Sequence, residues 1–140
     1  MNLITTHHDG FGLNDLIDVE ASDEDANGVP HRIDFYRNLT QAELNAALLS
    51  SSDREGIEHR KHVGFLAFQK GPRSVEGSTP GLISDAIYAA LIHIMQGFQN
   101  GPYKSSEGAL VLTKLEEAAL WSNKRAKDRA TRGVLGLNKA

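Results

Sequence analysis

STPGLISDAIYAALIHIMQGFQNGPYKSSEGALVLTKLEEAALWSNKRAKDRATRGV, residues 78–134, decides the fold. Leu82, Ile83, Ala86, Ile87, Ala90, Leu91, Ile94, Met95 and Phe98 recur at helical spacing. They make one continuous apolar stripe of 3.6 period. Thr79 predicts the N-cap of this first helix and Pro80 its first position, where a missing N–H costs nothing. The spacing therefore predicts a helix over 80–99. Phe98-Gln99-Asn100-Gly101-Pro102-Tyr103 is a turn. A second helix follows from Ser105 or Ser106, with Glu107 well placed in its first turn. It carries Leu110, Val111, Leu112, Leu115, Ala118, Ala119, Leu120 and Trp121 and closes at Gly133, a natural residue just past a helix end. At 1.5 Å per residue the helices are about 30 and 40 Å long, so the second overhangs the first by roughly two turns. The overhang holds Lys124, Arg125, Lys127, Arg129 and Arg132.

Upstream the pattern turns to strands. Residues 30–37 alternate through His31, Ile33 and Phe35, a candidate strand. Thr40-Gln41-Ala42-Glu43 is a capping box and predicts a short helix from Gln41 to Leu49. Ser50 to Glu58 reads as polar loop. Val63 to Gln69 reads as a strand, turned by Lys70-Gly71-Pro72, with Arg73 to Glu76 returning as a short edge strand. Residues 1–28 are rich in Asp, Glu, Asn and Gly and read as an acidic arm, either loosely ordered or ordered by packing on something else. The expected divisions are thus an arm over 1–28, a small β-sheet region with one helix over 29–77, and a helical hairpin over 78–136, all within one compact domain. The fold class is α+β, a small antiparallel sheet followed by a long αα-hairpin. Phe68-Gln69-x-Gly71-Pro72 echoes Phe98-Gln99-x-Gly101-Pro102, but two short matches in different contexts do not make a repeat.

Totals narrow the function. The 140 residues suit one domain and include no cysteine, which excludes a disulfide framework or a thiolate metal site. No basic leader with an apolar run opens the chain, and no apolar stretch is long enough to span a membrane. The net charge of −3 hides an asymmetry: residues 1–60 hold 12 acidic and 4 basic side chains, residues 61–140 hold 6 and 11. Positive potential is concentrated in the C-terminal half, where it would draw an anion. An acidic N-terminal half argues against long nucleic acid.

The residues that matter are binding groups rather than reactive ones. Arg125, Arg129 and Arg132 are candidate phosphate partners, because a guanidinium grips a phosphate with two parallel hydrogen bonds. Such bonds contribute about 1.5–3 kcal/mol each, against about 12 kcal/mol for nanomolar affinity. The competing reading is that cations near a helix C-terminus only answer its dipole. Phe98, Tyr103 and Trp121 are candidate stacking surfaces for a base. Phe98 also serves as the end of the first helix's stripe, and packing between the helices is the favoured reading of Trp121. The six histidines are scattered. His7-His8 and His59/His62 do not complete a three-ligand zinc set, and no nucleophile elbow, Walker loop or dinucleotide fingerprint is present. No catalytic residue, metal or cofactor is expected.

As a set, Phe98-Gln99-x-Gly101-Pro102-Tyr103, Glu107, Leu112-Thr113-Lys114-Leu115-x-Glu117-Ala118-x-x-Trp121, Lys124-Arg125-x-x-Asp128-Arg129 and Arg132-Gly133-Val134-x-Gly136 resembles the hairpin domain of a phage family of cyclic-nucleotide sponges. That family includes the anti-Thoeris sponge and shares its hairpin with the anti-CBASS sponge. Phe65-x-x-Phe68-Gln69-x-Gly71-Pro72 fits the anti-Thoeris branch. The resemblance covers about Val63 to Gly136. It implies a protein that is not an enzyme and that holds nucleotide second messengers of bacterial immunity: glycocyclic ADP-ribose isomers, or cyclic di- and trinucleotides. It further implies action in the cytoplasm of the infected host, and dimers with recessed pockets assembled into hexamers. Family roles in ligand binding map onto Phe98 and Arg125. The chain departs at Gly108, where the family usually carries a ligand-binding asparagine.

Two other functions compete, a hydrolase of the same messenger and a structural phage protein whose hairpin only drives assembly. A stripe of nine apolar residues is wide for one small sheet and one neighbouring helix to cover. A homo-oligomer, most simply six chains, is therefore expected, since a twofold copy would bury the excess.

Overall fold

The computed structural model describes residues 2–8, 10, 16–50, 56–71 and 75–133. The chain divides into two compact units, residues 1–67 and 68–140.

The first unit is a four-stranded antiparallel sheet in sequential order: β1 (Asn2–Ile4), β2 (Ile17–Glu24), β3 (Pro30–Asn38) and β4 (Arg60–Ala67), with α1 (Gln41–Ser50) between the last two. The α+β class is as expected. Residues 1–28, expected as an arm either loose or ordered by packing, contribute β1 and β2 to the sheet. Ile17, Val19 and Ala21 lie on one face of the sheet, and Asp18, Glu20 and Ser22 on the other. The acidic members are neutralised across the strands. Arg60 donates to Glu20 at 2.7 Å and to Asp18 at 3.2 Å, and lies 3.9 Å from the centre of the Tyr36 ring. Asp34, only 5% exposed, accepts both guanidinium arms of Arg32 and approaches His62 at 2.8 Å. Those two partners, the guanidinium first, hold its carboxyl below the usual range.

The β2–β3 turn is built by Asp25, whose carboxylate accepts from the N–H groups of Asn27 and Val29, while Gly28 takes a positive φ of 78°. The bond from Val29 leads the causes that lower the Asp25 pKa. The capping box forms as read, with Glu43 N–H on Thr40 Oγ1 at 3.2 Å and Thr40 N–H on Glu43 Oε1 at 3.1 Å. Glu43 also takes both arms of Arg37, which ties α1 to β3. The ring nitrogens of His7 and His8 approach the Ile17 carbonyl at 2.6 and 3.3 Å, so their visible work is to tie the chain to β2.

The second unit is a helical hairpin, α2 (Ser84–Gln99) and α3 (Ser106–Thr131). Helix α2 begins four residues later than its sequence predicts. Pro80 does not open it and Thr79 does not cap it, because tertiary pairing claims both ends of that stretch. Thr79 exchanges two backbone hydrogen bonds with Lys70, and the Gln69 N–H donates to the Leu82 carbonyl. Gly81 makes that approach possible, since a Cβ there would meet the Phe68 carbonyl carbon at 2.5 Å. Val75 to Gly77 form a bend and turn in place of the expected return strand, whose Arg73 and Ser74 lie outside the described residues. Helix α3 agrees with the sequence at both ends: Ser105 caps it by accepting from Gly108 N–H, and Gly133 follows with φ 70°.

Candidate functional site

Half-buried residues run along α2 as Ile87, Tyr88, Ile92, Met95 and Gln99, and along α3 as Leu112, Leu115, Ala118, Ala119, Ser122 and Ala126. These stripes pair the helices. A short hydrogen bond from Ser122 to Asp85, in the first turn of α2, pins the open end of the hairpin. Beyond that bond α3 continues past the start of α2. That continuation carries the cations.

Trp121, Lys124, Arg125, Asp128, Arg129 and Arg132 line one open cleft of about 370 Å³ on this part of the helix. Their spacing of three and four places all six on one face. Four cations and one carboxylate give the cleft a strong positive bias. Lys124 pairs with Asp128 at 2.9 Å. Arg125 makes no hydrogen bond or ion pair among the described residues, so its guanidinium is available. A second hollow of about 280 Å³, bounded by Glu117, Leu120, Trp121 and Lys124, adjoins the first through Trp121. Trp121 does not pack between the helices as its sequence context suggested: it is 68% exposed. Its position falls on the face of α3 that turns away from α2. A flat, exposed ring one turn from a free guanidinium can stack on a planar heterocycle while the cations take its anionic substituents.

Phe98 and Tyr103 form a separate group. Their ring centres lie 6.5 Å apart at 75°, an edge-to-face pair across the hairpin turn. Both are accessible, at 48% and 77%. The turn is clamped by Gln99, whose amide donates to the Ser105 carbonyl at 2.9 Å and accepts from the Ser105 N–H at 3.1 Å. From Ser106 to Arg125 the helix rises roughly 30 Å. The six residues singled out in the sequence therefore fall into two groups at opposite ends of the hairpin, and one chain does not bring them together. Lys124 and Asp128 line the cleft as well, and their helical spacing from Trp121 was the signal for them. The Gln99 clamp went unnoticed.

Among the described residues no cluster of three or more His, Asp or Glu side chains is arranged to hold a metal ion, and no helix is long and apolar enough to cross a membrane.

Fold and cleft together describe an α+β protein whose long helical hairpin presents a cationic, aromatic groove. No family model matches the chain. Over 76 residues, 54% of this chain, it is 40% identical to Thoeris anti-defense 1 of Bacillus phage SBSphiJ7. The match covers 53% of that relative, so the chain spans about half the length of the protein it resembles.

Proposed function

We propose that this protein is a phage immune-evasion factor that binds a nucleotide second messenger and holds it without cleaving it. Glycocyclic ADP-ribose leads the candidates, with cyclic di- and trinucleotides as related ligands. The setting is the cytoplasm of the infected bacterium. The observation that carries the reading is the helical face running from Trp121 through Arg125 to Arg132, a ring and a free guanidinium in one accessible cleft. The likeness to an anti-defense protein of a phage supports it.

The two groups at opposite ends of the hairpin fit this function best as parts of a pocket completed between chains. An antiparallel twofold pair of hairpins sets the Phe98–Tyr103 elbow of one copy near the cationic end of the other. Apolar surface for such a pairing exists: Leu91, Ile94, Leu110, Val111 and Leu120 are all exposed, and neither helix has a fully buried residue. A trimer of these dimers gives the hexamer.

The test uses stoichiometric protein and a glycocyclic ADP-ribose isomer. Free ligand should fall on mixing and return intact after heat destroys the protein. A product that accumulates over time at substoichiometric protein replaces sequestration with hydrolysis. Failure of every such nucleotide to raise the melting temperature leaves only the assembly role.

A further inference from the structure

We propose that the smaller hollow beside Trp121 is the base subsite of the nucleotide cleft, and that Glu117 reads an amino group on the edge of the base held there; this rests on the nucleotide-binding reading above. Two hollows meet at Trp121 and Lys124. Their chemistry is opposite. The larger, of about 370 Å³, holds Arg125, Arg129 and Arg132. The smaller, of about 280 Å³, is bounded by Glu117, Leu120, Trp121 and Lys124. Leu120 and Trp121 are 70% and 68% exposed, so its walls are open apolar surface. Lys124 brings it little charge, because Asp128 holds the ammonium group at 2.9 Å, one turn toward the cationic hollow. What Lys124 lends the smaller hollow is its methylene stem. Glu117 therefore sets the polarity there.

Glu117 Oε2 accepts from Lys114 Nζ at 3.4 Å, from outside the hollow, and the other oxygen makes no hydrogen bond among the described residues. A glutamate on a helix surface needs no ligand to explain it. This one stands a turn before a tryptophan that also borders the cations, on a strip of helix with two exposed apolar side chains. From Glu117 to Arg125 the helix rises about 12 Å. A nucleotide laid along that strip puts its phosphates among the arginines, its base on the Trp121 ring and the edge of the base toward Glu117. A carboxylate accepts hydrogen bonds and donates none. It favours an edge that donates, the amino group of adenine, over one that presents a carbonyl oxygen, as hypoxanthine does. It also turns away a second anionic group, which fixes the direction in which the ligand lies. Leu120 belongs as well to the apolar surface offered to a second copy, which would then border the hollow.

Trp121 is the chain's one tryptophan, so its fluorescence reports on the ring directly. Wild type, Glu117→Gln and Glu117→Ala are each titrated with a glycocyclic ADP-ribose isomer and with the same molecule deaminated to hypoxanthine, with affinity read by calorimetry. Both ligands should quench the tryptophan of the wild type. The amino form should bind roughly 10- to 150-fold more tightly, the range for a hydrogen bond to a charged group. Glu117→Ala should erase that ratio by weakening the amino form and leaving the other. Glu117→Gln should narrow it from both sides, because an amide accepts from the amine and donates to the carbonyl. A wild-type ratio near one, or a ratio that survives in Glu117→Ala, overturns the proposal. So does equal weakening of both forms, or binding without quenching. A Trp121 emission already shielded in the free protein and unmoved by ligand also overturns it, and assigns the ring to contact between copies. In each of these cases capture of the nucleotide still stands. If the wild type binds neither form, the nucleotide reading falls and the subsite with it.

Discussion

The two units use arginine in opposite ways. In the sheet unit, Arg32, Arg37 and Arg60 are each engaged by carboxylates, at 2.7–2.8 Å at their closest, and two of them also stack on aromatic rings. The carboxylate partners raise the pKa of all three guanidinium groups. In the hairpin unit, Arg125 stands beside an exposed tryptophan with no carboxylate on it. Charge in the first unit is consumed by the fold. In the second, Lys124 is paired with Asp128 while Arg125 is not, and Arg125 is the group that the proposed anionic ligand would take.

The contrast is sharpest where ligand is measured. Arg125→Ala should weaken nucleotide binding by roughly 10- to 150-fold, the equivalent of the 1.5–3 kcal/mol of a charged hydrogen bond. Phe98→Ala combined with it should bring affinity below detection by calorimetry. Both proteins should melt within about 2 °C of wild type, because surface substitutions outside a network usually cost under 0.5 kcal/mol. Undiminished binding by the double variant breaks the comparison outright. Next in size is assembly. Ile94→Glu places a charge on the exposed apolar face of α2, and the mass by light scattering should fall from a multiple of 15.3 kDa to that of one chain. A wild-type protein that already scatters as a single chain removes the intersubunit pocket.

Acid should distinguish the units too. The folded pKa values of Glu43 and Asp34 lie below their ordinary ones, chiefly through Arg37 and Arg32. Their contribution is thus fully present above about pH 4, where the unfolded carboxyls are ionised, and is lost as pH falls through the folded values. Circular dichroism melts should show the sheet unit losing stability below about pH 4, and Glu43→Gln should flatten that loss. An acid response unchanged in Glu43→Gln would disprove the assignment. The smallest effect is local: Thr40→Ala removes the α1 cap and should cost about 1 kcal/mol in denaturant unfolding.

What could be read from the sequence follows the same division. The α3 boundaries, the α1 capping box and β3 were legible because the signals are local: a cap, a glycine, an alternation. Strand β2 was missed because Asp18, Glu20 and Glu24 made a half-buried strand look like solvated tail; Arg60, the partner of Asp18 and Glu20, is some forty residues away. The start of α2 was misplaced because pairing of Leu82 with Phe68 outweighs a cap and a proline that are correct for a helix. Of the candidate site, the residue types and the Trp121-to-Arg132 face were visible in helical spacing. The separation of that face from Phe98 and Tyr103 was implicit in the helix length. The Gln99 clamp was not visible, since nothing local shows where an amide will lie.

The span between elbow and cations has one more consequence. If the rings of one chain and the guanidinium of another must converge on a single ligand, α3 is a ruler, and its length is as much a determinant of capture as any side chain. Deleting seven residues between Leu112 and Leu120 would preserve the facing of every group, because seven residues are close to two full turns, yet would draw the ends together by about 10 Å. Neither the elbow nor the cations would be altered in chemistry. The pocket would simply be out of gauge.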